Sequence, residues 1–137
     1  MEQTEERLIV SVPRDSFTDT AFANLRKLVE NKNELMARAF LAKELMLDKT
    51  EDTVSFPWFP FSIEPNEVAA YTEFVSKLCH MARTIKRVAD GQTETDNDKY
   101  AFRCFLLRLG FIGNEYKNAR KILLKNITGN SAFRYGK

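Results

Sequence analysis

One histidine and two cysteines leave this chain short of metal ligands. A closed zinc site takes four, and Cys79 and His80, as neighbours on a helix, point about 100° apart. Five glycines make no phosphate-binding loop and no dinucleotide fingerprint. Gly-x-Ser-x-Gly and His-Glu-x-x-His are missing too, and His80 has no nucleophile beside it. No catalytic residue, metal or cofactor is therefore assigned. No apolar run approaches the roughly 20 residues needed to cross a bilayer. Met1–Arg7 is acidic and polar, unlike a signal peptide. The expectation is a cytoplasmic protein with no membrane partner, in which Cys79 and Cys104 are reduced thiols within apolar helix patterns.

What is present is ordinary for a globular chain: 44% hydrophobic and 29% charged residues in a length of 137. That suits one domain, residues 1–137, with a core of its own. Eleven phenylalanines against one tryptophan make Phe the main core filler.

Leu8–Val12 is a short β-rich run ended by Pro13. Ser16, Thr18 and Asp19 offer cap oxygens for a helix running to about Glu30. A second helix follows Asn33, with an apolar stripe through Leu45. Asp48–Asp52 reads as a polar loop. Val54, Phe56 and Trp58 alternate as a strand, but Pro57 and Pro60 cannot donate to a ladder, which predicts an edge strand or an early stop. Pro65 opens the strongest helical pattern, to about Val88. The acidic loop Ala89–Asp98 lacks the register of a calcium loop and caps a helix over about Asn97–Leu109. After Gly110 comes a last helix over about Asn114–Asn126. The fold class is mainly α (α+β), with about five helices and two short, paired strands.

Charge is unevenly spread. Between Ala101 and Lys137 stand eight cations and one acid, Glu115. That stretch is +7 in a chain of +2, leaving −5 for residues 1–100. A basic end on an acidic body points to a polyanion or an acidic partner. Phe105, Leu109, Gly110, Phe111, Tyr116 and Ala119 fit the spacing of a helix-turn-helix-like hairpin. One departure is Leu106, where the helix crossing usually takes a small residue. Lys117, Lys121 and Lys125 follow at i, i+4 as one stripe that would neutralise phosphates of DNA or RNA, with Arg120 flanking and Asn118 within reach of a base edge. Arg134 and Lys137 in the basic tail, residues 128–137, would extend the contact. An ordinary αα-hairpin with a solvated lysine face fits the same residues.

Phe56, Trp58, Phe59 and Phe61 crowd four aromatics into six positions. A strand buries half of its residues on one face, so the alternative function is a protein-interaction module or inhibitor docking through this segment or the basic face. The other reading is a plug closing the core of a small helical domain.

The block Lys99–Gly113, with Glu115-Tyr116-Lys117, Arg120–Leu124 and Gly129–Phe133, resembles small "virulence-related" proteins on conjugative and other mobile elements of gut Firmicutes. Phe17–Leu25 and Phe56–Phe59 resemble them as well. The resemblance implies a non-enzymatic mobile-element accessory protein, whose natural roles are nucleic-acid binding or inhibition of a host defence protein. It implies no particular functional residues.

Overall fold

The computed structural model describes residues 7–86, 88 and 97–127. Among the described residues are three antiparallel strands and five α-helices: β1 (Arg7–Pro13), α1 (Asp19–Asn31), α2 (Asn33–Phe40), β2 (Asp48–Lys49), β3 (Thr53–Pro60), α3 (Pro65–Thr84), α4 (Asp98–Leu109) and α5 (Lys117–Leu124). The strand order is β1-β3-β2. Among the described residues, no helix is long and apolar enough to cross a membrane.

The expectation that Pro57 would put its strand at an edge is overturned: β3 lies between the other two. The reason is a bulge. Leu8 pairs with Phe59 but Val10 pairs with Phe56, so Pro57 and Trp58 together oppose Ile9. A bulged residue leaves the ladder, so the missing N–H of Pro57 costs no hydrogen bond. The extra residue also resets the alternation. Val54, Phe56 and Trp58 face the core, and Phe59 joins them, all four completely buried.

Asp48–Asp52 is likewise more than a loop. β2 pairs with β3 through Asp48–Ser55 and Lys49–Val54. Thr50 closes that hairpin: its Oγ1 accepts from the Thr53 amide at 3.0 Å and its amide donates to the Thr53 carbonyl at 2.9 Å.

The second helix ends at Phe40, not near Leu45. Leu41 turns left-handed, with φ 55°. The Ala42 amide donates to the Ala37 carbonyl at 2.9 Å and the Leu41 amide to Arg38 at 3.4 Å, so a leucine holds the place usually taken by glycine in this cap. Arg7 fixes the stop, donating to the Phe40 carbonyl at 2.7 Å, to Leu41 at 3.1 Å and to that of Trp58. Leu45 is still buried, delivered by the loop, and Trp58 Nε1 donates to the Met46 carbonyl at 2.7 Å.

α3 starts as expected, with Pro65 in its first turn and the Glu64 carboxylate accepting from the Glu67 amide at 3.1 Å. It stops at Thr84 rather than Val88. Asn24 of α1 donates to the carbonyls of Ala82 at 3.2 Å and Ile85 at 3.1 Å, satisfying that end. Most of the acidic loop, residues 89–96, lies outside the described residues. The core is a ring cluster around Phe40, which meets Phe59 at 4.6 Å and Phe74 at 5.1 Å between centroids. Tyr71, Phe102 and Phe105 complete it.

Candidate nucleic-acid interface

The basic stretch is carried by α4, a turn and α5. Gly110 ends α4 with φ 119°, a conformation that glycine adopts without steric cost. Its amide donates to Leu107 at 3.1 Å, and the Phe111 amide donates to Leu106 at 3.0 Å. That is the six-to-one and five-to-two pattern of a glycine cap, with Leu106 and Phe111 both buried beneath it. The connection is longer than the sequence pattern predicts. A 3-10 turn at Asn114–Tyr116 precedes α5, which is eight residues long.

The hairpin is riveted to α3 by Lys77. Its Nζ lies 3.4 Å from Glu73 and over the Tyr116 ring at 4.6 Å. Burial works against the charge of Lys77, but hydrogen bonding to Tyr116 and Glu73 more than offsets it and raises the pKa above the usual lysine value. Leu123, Leu124 and Ile127 are buried, which sets the opposite side of α5 outward.

On that outward side the seven residues expected to contact nucleic acid divide. Lys117, Asn118 and Lys121 are exposed. Arg120 is half-buried and turns back to the hairpin, its Nη1 donating to the carbonyls of Phe111 at 2.8 Å and Gly113 at 3.0 Å. Lys125 is exposed but engaged with the Glu67 carboxylate of α3. That ion pair, and then a hydrogen bond from Ser62, hold the Glu67 carboxyl below the usual range, while Lys125 is raised above its own. Arg134 and Lys137 lie outside the described residues. The arrangement thus presents two cations one helical turn apart, with the Asn118 amide to one side of them. Arg108, not singled out by the stripe pattern, is exposed in the last turn of α4. Only the charge count of the C-terminal stretch pointed to it.

The aromatic alternative also divides. Phe56, Trp58 and Phe59 are completely buried and belong to the core, so they offer no docking surface. Phe61, beyond the end of β3, is 57% exposed. Cys79 is buried and Cys104 half-buried, and both are free thiols. Comparison of the chain with protein families, with curated proteins and with solved structures finds no match.

Proposed function

We propose that the protein is a non-enzymatic nucleic-acid-binding accessory protein that grips phosphates through the outward face of α5. The observation that carries this reading is the pair Lys117 and Lys121, exposed one turn apart on a helix whose other side is buried. The backbone that carries them is already ordered as a helix, so meeting a polyanion costs only the rotamer freedom of the lysine side chains themselves. Glu115 is the one acid between Ala101 and Lys137, and the Glu67 carboxylate that reaches α5 from α3 is paired with Lys125, which leaves Lys117 and Lys121 to attract phosphate. Asn118 flanks the lysines, and Arg134 and Lys137 in the tail would extend the contact.

On this reading the α4–α5 hairpin works as a helix-turn-helix-like unit. The 3-10 turn lengthens its connection beyond the usual three or four residues, and α5 is short. Both features favour phosphate contacts over deep reading of base edges. The resemblance to proteins of mobile elements agrees with an accessory role. Arg120 and Lys125 serve the fold, and their removal is expected to act on stability before affinity.

The test is binding of duplex DNA, single-stranded DNA and RNA at about 50 mM salt and micromolar protein, where even non-specific binding registers. Binding that weakens steeply with salt supports the reading. Absence of binding to all three overturns it.

A further inference from the structure

The outer edge of β1 and the exposed side of α3 enclose a groove that the proposed nucleic-acid contact does not use. Among the described residues, β1 pairs with β3 on one side only. Beside its other edge lies a concavity of about 210 Å³, lined by four consecutive residues, Val10–Pro13, and across from them by Thr72, Ser76, Cys79 and Arg83. Four consecutive strand residues line it, so the groove follows the backbone edge and not one face of the sheet. It continues along α3 into a shallower hollow of about 700 Å³, which shares Thr72 and Ser76 and reaches Val68 and Ile63. Ile63 is 84% exposed, an unusual position for an isoleucine.

We propose that this groove takes an extended segment of a partner protein, which adds as a further strand to β1. The segment would be apolar at alternate positions and acidic at the end that lies over Arg83. Three features fix that chemistry. An open strand edge offers a row of backbone donors and acceptors that another strand satisfies in full. Alternate side chains of the added strand would point at α3, where Thr72 and Ser76 are small enough to admit them and Val10, Val12 and Val68 supply apolar walls. Arg83 is exposed at one end, stacked over Phe17 at 5.5 Å, and among the described residues it has no carboxylate partner. From Val68 to Arg83 the helix rises about 22 Å at about 1.5 Å per residue. A strand covers that length in about six or seven residues.

The experiment is to pan a displayed library of random peptides of about nine residues against the full chain. An enriched peptide is then synthesised and titrated by fluorescence polarisation. The proposal expects peptides with apolar residues at every second position and Asp or Glu at one end. Ser76→Trp, which fills the groove from an exposed helix position, should abolish binding. Arg83→Gln should weaken it by about tenfold, the worth of one charge-assisted hydrogen bond. Amide exchange in β1 should slow when the peptide binds. Far-UV circular dichroism checks that Ser76→Trp folds; if it does not, the Arg83→Gln titration and the exchange measurement decide. A library with no such enrichment, a peptide that ignores both substitutions, β1 exchange that does not change, or a chain that already buries β1 in a dimer overturns the proposal.

Discussion

Lys125, at the end of α5, holds the Glu67 carboxylate in the first turn of α3, 58 residues earlier in the chain. One of three evenly spaced lysines is thereby spent on joining two helices. The pair makes stability depend on pH in a defined way. The lowered Glu67 pKa stabilises the fold above the ordinary carboxyl value of about 4.3, and that contribution fades as pH falls through the folded value. The raised Lys125 pKa stabilises below about 10.4 and fades as pH rises through its folded value. Lys125→Gln should therefore cost less than about 1 kcal/mol at about pH 7, since both groups are partly exposed. In urea titrations the variant and the parent should converge as pH falls through the lowered Glu67 pKa. A gap that widens in acid contradicts the pairing.

Leu41 and Gly110 occupy the same left-handed position at the ends of two helices, and substitutions there should act in opposite directions. Leu41→Gly relieves a conformation that costs a leucine about 1–2 kcal/mol, partly offset by the greater freedom of glycine in the unfolded chain. A net gain of up to about 1 kcal/mol is expected. Gly110→Ala meets no severe contact, the nearest atom being Lys77 Nζ at 3.5 Å, but forces φ 119° on an alanine. A loss of about 1–2 kcal/mol is expected from the backbone alone. Denaturant midpoints check both signs.

Cys79 should resist modification in the folded protein. Burial pushes its thiol pKa up to about 12, so little thiolate exists near neutrality. Titration with a thiol-reactive chromophore should modify no more than the half-buried Cys104 under native conditions and both cysteines in denaturant. Fast reaction of Cys79 in the folded state contradicts its placement.

Leu78 and Leu106 are both fully buried, on the inner faces of α3 and α4. Truncating either to Ala should cost about 2–5 kcal/mol. Arg120→Gln should cost roughly 1–2 kcal/mol through loss of its charged hydrogen bonds to the turn. Unchanged unfolding midpoints for the leucine variants mean that the helix faces are wrong.

Local signals were legible where local chemistry decides. Pro65 marked the start of α3, Gly110 the end of α4, and alternation at Val54, Phe56 and Trp58 a strand. Long-range contacts decided the rest. Asn24, on α1, ends α3, Arg7 fixes the backbone where α2 stops, and Trp58 holds the loop beyond it at Met46. The bulge that lets Pro57 sit in a central strand depends on the register against β1. At the candidate interface the spacing of Lys117, Lys121 and Lys125 on one stripe was readable. That Lys125 would meet Glu67, and that Arg120 would turn inward to Phe111 and Gly113, was not, because helical periodicity reports a face and not its partners. The groove beside β1 left no sequence signal at all, since it arises from which strand lies at the edge.

The most direct test is the salt dependence of duplex DNA binding by the parent chain and by Lys117→Gln/Lys121→Gln. Both positions are exposed, so stability should stay within about 0.5 kcal/mol. If each lysine neutralises one phosphate, the slope of log K against log salt should become shallower by about 1.8 in the double variant, at about 0.9 per contact. A parent chain that binds no nucleic acid at about 50 mM salt, or a slope that both substitutions leave unchanged, contradicts the account.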